Sequence, residues 1–236
     1  MPSDAKSAIS CVATAYIKNQ LTITMSTKFY CIAFMLLCGY LAGSIPFGYL
    51  IGRFNGIDIR KYGSHNIGAT NVTRVLGIAC GRLCFLLDFL KGVLPVWFIG
   101  YGLGKNYIIG AEWSGVLVAV GCVLGHMFPC WLNFKGGKGV ATSIGALIAL
   151  AFWPVIIALL VWWMVFQKTK IVSLASLATA VATPIAALLL TLLGWYHTHW
   201  IIIALMFFIG AIIFWRHREN IERLRKGTES KFKNNN

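Results

Sequence analysis

Acidic residues are scarce in this chain. Its 236 residues include seven Asp plus Glu against 21 Lys plus Arg. Between residues 5 and 218 the only acids are Asp58, Asp88 and Glu112. They are too scattered to hold Mg²⁺ in a carboxylate cluster. An activity that depends on such a metal is therefore not expected, and neither a metal nor another cofactor is assigned. Paired cysteines are absent as well. Cys11, Cys31, Cys38, Cys80, Cys84, Cys122 and Cys130 form no Cys-x-x-Cys, and most lie in apolar runs. There a free Cys behaves as a small hydrophobe, so neither a disulfide framework nor a thiolate metal site is expected. Residues 1–28 are mixed and weakly apolar, with no clear small-residue cleavage site. Residues 1–28 read as an N-terminal extension: either a poorly ordered tail or, because Met25-Ser26-Thr27-Lys28 directly precedes the first strong hydrophobic run, one with residues 1–24 upstream of a start at Met25.

Long polar stretches are the other absence. The chain is 58% hydrophobic, with a mean hydropathy of +0.74. Several runs approach the ~20 residues that a bilayer helix needs. The expected fold is an all-α, polytopic integral membrane helix bundle forming one unit over residues 29–215, followed by a basic tail over 216–236. A net charge of +14 suits anionic headgroups or anionic substrates. The basic residues flank the spans instead of forming a soluble patch, which argues against nucleic acid.

The distribution of Lys and Arg counts the spans. Residues 29–51 form the first. Arg53, Arg60, Lys61, Arg74 and Arg82 then mark 52–82 as cytoplasmic, with an interfacial helix expected from Asn66 to Leu76. Spans follow at 83–104 and 113–131, the latter bracketed by Trp113 and Trp131. A single span over 143–165 would strand Lys168, Lys170 and the basic tail outside. Dividing the run at Phe152-Trp153-Pro154 restores the bias, because Pro lacks a backbone donor and disfavours helix before it. Two short helices result, about 139–151 and 154–168. Spans at 172–193 and 199–215 complete about seven transmembrane helices, with the N-terminus outside and the tail inside. His126 reads as structural. Asp88 and Lys91, three apart on one helix face, read as an intramembrane ion pair, with a catalytic Asp as the alternative.

Three polar islands interrupt this background: Gly43-Ser44-Ile45-Pro46-Phe47-Gly48, Gly63-Ser64-His65-Asn66-Ile67-Gly68-Ala69-Thr70-Asn71, and Phe134-Lys135-Gly136-Gly137-Lys138-Gly139-Val140-Ala141-Thr142. Gly lets backbone N–H groups approach an anion, and Lys supplies charge. Lys138, with Gly136, Gly137 and Gly139, is expected to hold a phosphate, although the Walker A order is missing. Asn66, Thr70 and Asn71 offer uncharged donors to a phosphate or to hydroxyls, or they cap a helix. Ser173 and Ser176 share a helix face at the same surface, for the site or for helix packing. The seven-span topology brings all these groups to one side.

Together the islands resemble the PlsY family, the bacterial acyl-phosphate-dependent glycerol-3-phosphate acyltransferases. The segment Arg216-His217-Arg218-Glu219-Asn220-Ile221-Glu222-Arg223-Leu224, followed by Gly227-Thr228-Glu229, matches too. The resemblance runs from about residue 30 to the C-terminus. Residue 65 departs from it, being His where the family often has Gly. The resemblance implies a seven-helix enzyme of the bacterial inner membrane that moves a fatty acyl group from acyl phosphate to sn-glycerol 3-phosphate. The products are lysophosphatidate and inorganic phosphate, without acyl-CoA or acyl-carrier protein as direct donor. Membrane lipids and the enzyme that makes the acyl phosphate are the implied partners. By the same resemblance Ser44, Arg53, His217 and Asn220 join Lys138 as catalytic or glycerol-phosphate residues. The base is either His217 or the substrate's own phosphate.

Two other readings compete with this one. The His-x₄-Asp pair of other lipid acyltransferases is missing, since Thr70 follows His65 at that spacing and Trp131 follows His126. A transporter or channel for an organic phosphate would place polar groups at mid-membrane and on both sides, often with an internal repeat. Here they gather on one side, without a repeat.

Overall fold

Gly77, at φ 87°, shows how short signals divide this chain: it ends one helix and begins the next. A computed structural model describes residues 25–103 and 109–232, so residues 1–24 of the expected 1–28 extension lie outside the described residues, while its last four open the first helix. Helix α1 covers residues 25–44, and α2 is Phe47–Phe54 after a break at Ile45-Pro46. A short α3 (Ala69–Leu76) lies within the expected interfacial segment. Next come α4 (Ile78–Pro95, continued with π geometry over Val96–Leu103), α5 (Ala111–Met127) and α6 (Val140–Leu150). Helices α7 (Phe152–Thr169), α8 (Val172–Leu192), α9 (Trp200–Arg216) and α10 (Arg218–Arg225) finish the fold.

Five segments among the described residues are long and apolar enough to cross a membrane: Met25–Phe54, Ile78–Leu103, Ala111–Leu132, Phe152–Thr169 and Val172–Leu192. Trp200–Arg216 makes a sixth if it is joined to Arg218–Arg225 across a 61° bend, and Val140–Leu150 is a short apolar helix. The count of seven is thus approximate, with one member a half-length helix. Two boundaries differ from the sequence expectation. The second span begins at Ile78, not residue 83, because Gly77 alone separates it from α3, so Arg82 rides on the helix. The break in the long run falls at Ala151 (φ −153°, ψ 92°), not at Pro154. Pro154 sits in the first turn of α7, where a missing N–H removes no helical bond.

Close helix contacts set the frame. Gly39 and Gly43 of α1 face Gly121 and Gly125 of α5. A Cβ on Gly43 would sit 2.1 Å from the Cys122 carbonyl oxygen, and one on Gly125 would sit 2.2 Å from that of Tyr40. Small residues four apart let helix backbones approach where lipid offers no hydrophobic drive. Gly92 of α4 and Gly145 of α6 do the same against Thr142 and Phe89. Inside, Met35, Val118, Cys122, Met127, Ala146 and Met206 form one buried core, while Phe85, Trp97, Phe98, Trp163, Leu189 and Phe207 face outward. An apolar exterior is what a hydrocarbon solvent allows. The six described cysteines are unpaired.

Candidate active site

The glycine loop is held from both sides. The N–H of Gly136 donates to the Met127 carbonyl and that of Gly137 to the His126 carbonyl, each at 3.1 Å. These are carbonyls of the last turn of α5, which have no partner within the helix. From the other side, Arg216 Nη2 donates to the Gly136 and Gly137 carbonyls at 3.0 and 2.8 Å. A Cβ on Gly136 would sit 2.2 Å from the His126 oxygen. The two N–H groups expected to face a phosphate are therefore spent on seating the loop. Gly139, at φ 82°, turns the chain into α6. This geometry leaves Lys138 to project between a fixed loop and the start of a helix.

Lys138 Nζ donates to Asn220 Oδ1. Asn220 Nδ2 donates to Glu229 Oε1 at 2.5 Å, and Ser173 Oγ donates to the same oxygen at 2.7 Å. Arg223 Nε donates to Glu229 Oε2 at 2.7 Å. The structure thus gathers Lys138, Asn220 and Ser173, which are far apart in sequence. Burial pushes the Lys138 pKa down to about 8, against the opposing pull of Glu229. Burial alone would raise the Glu229 pKa, but hydrogen bonds from Ser173, Arg223 and Asn220 outweigh it and hold the carboxyl below its ordinary value. The tail is strapped down by Phe232, whose N–H donates to the Lys170 carbonyl at 2.7 Å.

His217 lies buried between α9 and α10. Its Nδ1 is 2.8 Å from the Ile213 carbonyl. A carbonyl only accepts, so Nδ1 carries the hydrogen and Nε2 is left as an acceptor in the neutral ring. Burial, then the charge of Lys138, lowers its pKa to about 4.

Other expected residues have different placements. Ser44 is fully buried, and its hydroxyl has no hydrogen-bond partner among the described residues. An unmade bond on a buried hydroxyl costs about 1–3 kcal/mol, which marks a group waiting for a ligand or held under strain. Arg53 is exposed, with its guanidinium 6.0 Å from the centre of the Tyr49 ring. Neither is hydrogen-bonded to the Lys138 cluster. Asn71 is buried and saturated: Oδ1 accepts from Ser64 N–H at 2.8 Å, and Nδ2 faces the carbonyls of Tyr62, Asn66 and Ile59. Its expected role as a substrate donor gives way to stitching the 59–71 loop, because no hydrogen remains to give. Asn66 Oδ1 closes a turn on Gly68 N–H, and Thr70 is half-buried in the first turn of α3. His65 adopts φ 57°, the conformation that Gly takes freely, so the turn persists without the glycine. Ser176 returns its hydrogen to Val172 and lines a cavity between α6, α8 and α9 with Ser143, Thr179 and Thr183. Asp88 and Lys91 pair at 2.8 Å, as the sequence suggested.

Sequence reasoning gave no site role to Glu229, Arg216, Arg223 or Ser143. Glu229 did carry a signal, as one of few acids and the terminus of the matching Gly227-Thr228-Glu229. Arg216 stood in the matching segment Arg216–Leu224 without a role of its own.

The chain matches the family model described as glycerol-3-phosphate acyltransferase over residues 33–227. It is 41% identical over 199 residues to the glycerol-3-phosphate acyltransferase of Aquifex aeolicus, covering 84% of this chain and 98% of that one. It is 44% identical over 199 residues to that of Myxococcus xanthus, with the same two coverages. Among solved structures it resembles PlsY, an integral membrane glycerol 3-phosphate acyltransferase, in its glycerol 3-phosphate form. The TM-score is 0.74 at 40% identity, over 86% of this chain and 96% of that one. The lysophosphatidic acid form gives 0.73 at 39% identity, over 86% and 95%. The half-buried cation on a glycine-seated loop thus sits in a membrane enzyme of known kind: the chain is a member of the glycerol-3-phosphate acyltransferase family.

Proposed function

We propose that this acyltransferase takes its acyl group from acyl phosphate and passes it to sn-glycerol 3-phosphate, with the residues around Lys138 as the transfer site. The observation that carries this reading is the way Lys138 is held. An amide, not a carboxylate, touches its ammonium, so the charge is positioned yet free to act on a phosphoryl group. Acyl phosphate is a mixed anhydride with a good leaving group. Positioning and electrostatic stabilisation then suffice for direct transfer.

In the step itself, a hydroxyl oxygen of glycerol 3-phosphate bonds to the acyl carbonyl carbon, the bond from that carbon to the phosphate oxygen breaks, and phosphate departs. Lys138 stabilises the phosphoryl group and the developing oxyanion. Ser44 supplies its unpartnered hydroxyl to the substrate, and Arg53 the outer cationic contact for glycerol phosphate. Asn220 and Ser173 hold the cluster in register. Thr70 and Asn66 border the entrance, and Gly139 directs Lys138. His217, with its pKa near 4, is a weak base at neutral pH, so its Nε2 orients the attacking hydroxyl. The substrate's own phosphate then takes the proton.

In this reading the bundle over 29–215 sits in the bacterial inner membrane, with the site and the tail over 216–236 on the cytoplasmic side and the N-terminus outside. An enzyme that makes acyl phosphate docks at that side. The test uses purified protein in detergent with acyl phosphate, with and without glycerol 3-phosphate. Phosphate release and lysophosphatidate formation are expected only when both substrates are present. Equal release without glycerol 3-phosphate, or transfer from acyl-CoA alone, would overturn the reading.

A further inference from the structure

A second polar cluster lies buried in the bundle beside the transfer site. Asp88, Lys91, His126 and Thr142 are 2, 6, 4 and 0% exposed. Asp88 Oδ1 is 2.8 Å from Lys91 Nζ and 3.5 Å from His126 Nδ1. Thr142 Oγ1 donates to the Asp88 carbonyl at 3.0 Å and lies 3.2 Å from His126 Nδ1. A local ion pair on one helix explains only the first of these contacts. The others join three helices, α4, α5 and α6.

Each end of the cluster reaches a piece of the transfer site. Lys91 Nζ donates to the Ile45 carbonyl at 2.7 Å and lies 5.5 Å from the centre of the Phe47 ring. Ile45 follows Ser44 and sits in the break between α1 and α2. At the other end, the His126 ring is the floor beneath Gly137, since a Cβ there would sit 2.1 Å from Nε2. Gly137 also donates its N–H to the His126 carbonyl at 3.1 Å, and Lys138 is the next residue. A chain of contacts through Asp88 thus runs from the break after Ser44 to the loop that carries Lys138.

We propose that Asp88 is a positioning residue for the acyl transfer: through Lys91 it fixes the break after Ser44, and through His126 and Thr142 it fixes the loop that presents Lys138. The inference rests on the transfer-site reading above. It differs from a folding role in a way that can be measured. A buried pair that serves only stability can be replaced by neutral residues of similar size at little cost, whereas removing one partner strands the other charge. A positioning pair cannot be replaced without loss of geometry.

The experiment compares wild type, Asp88→Asn, the double variant Asp88→Asn with Lys91→Met, and Thr142→Val. All are purified in detergent and assayed for glycerol-3-phosphate-dependent phosphate release per folded molecule. The double variant is expected to recover most of the melting temperature lost by Asp88→Asn. Its kcat should stay at least tenfold below wild type, with the KM for glycerol 3-phosphate within about threefold, because misplaced groups lose transition-state contacts more than ground-state binding. Thr142→Val keeps the ion pair and nearly the same volume and loses only the buried hydroxyl contacts, so it should melt within about 5–8 °C of wild type and turn over several-fold more slowly. A double variant that regains both stability and wild-type kcat would make the cluster a folding pair only. Unchanged turnover in Thr142→Val would cut the proposed link to the loop, and this variant decides the matter if the others fail to fold. A wild-type protein without glycerol-3-phosphate-dependent release would instead sink the transfer reading itself.

Discussion

Two lysines in this protein share a neighbourhood with a carboxylate, and they do opposite work. Lys91 meets Asp88 directly at 2.8 Å, three residues away on the same helix and almost wholly buried. Lys138 meets Glu229 only through the Asn220 amide, which accepts from the lysine and donates to the carboxylate. In the first arrangement the charges cancel where no water can reach them. In the second, the ammonium is oriented but not neutralised. A membrane enzyme needs both: a neutral knot within its span and a usable cation at its rim. The inserted amide distinguishes them, so the comparison rests on where a charge is left over.

The sharpest break should come from stability. Asp88→Asn leaves the Lys91 ammonium buried without its counter-charge, and such a loss costs about 3–5 kcal/mol. Thermal unfolding in detergent measures it. A melting temperature equal to wild type would mean that Lys91 finds water or loses its proton, and the contrast between the lysines would weaken.

Lys138→Gln should do the reverse. The fold stays, but loss of positive charge in a water-poor site costs about 3 kcal/mol of transition-state stabilisation, roughly two orders of magnitude in turnover. A variant that unfolds instead would place Lys138 in the structural class with Lys91.

The next effect is one of pH. Because burial depresses the Lys138 pKa to about 8, the charged form is present below that value and lost as pH rises through it. Turnover should fall along the same limb. Glu229 raises this pKa, while Arg223 and Arg74 lower it and Glu219 raises it. Glu229→Gln removes one negative charge, so the alkaline limb should move to lower pH. A limb that stays in place would show that the amide carries no electrostatic coupling.

Smaller effects test the edges of the comparison. Lys135 is exposed on the same loop, before the glycine pair. Its replacement by Gln should change turnover by about threefold or less, since water and salt screen an exposed charge. His65→Gly should be smallest, within about 1 kcal/mol of wild-type stability. The native φ of 57° suits glycine, whose extra freedom in the unfolded chain offsets the relief. Melting curves check this, and a large loss would point to the 3.0 Å contact of His65 Nδ1 with the Arg60 carbonyl.

Much of this was legible in the linear sequence. The Asp88–Lys91 pair followed from spacing alone, because three residues on a helix share a face. The split of the 139–168 run followed from the charge bias, although the break fell at Ala151, where backbone dihedrals and not Pro154 decide. Asn71 and the Gly136-Gly137 pair were harder. A polar or glycine residue in a loop looks the same whether it binds a ligand or seats the loop, and only the hydrogen-bond partners distinguish the two. Arg216 was given no role for that reason, since its targets are backbone carbonyls some eighty positions away.

Local order therefore determined what this chain is: a basic, acid-poor membrane bundle whose polar islands belong to one family of acyltransferases. Hydropathy, charge bias and short motifs are properties of neighbouring residues, and they survive without coordinates. Tertiary structure decided which polar groups are spent and which are free. Ser44 is left with an unmade bond, Asn71 with none to give, and Lys138 with a charge that an amide does not cancel. Those outcomes depend on partners distant in sequence, and only the packing of the helices brings them within reach.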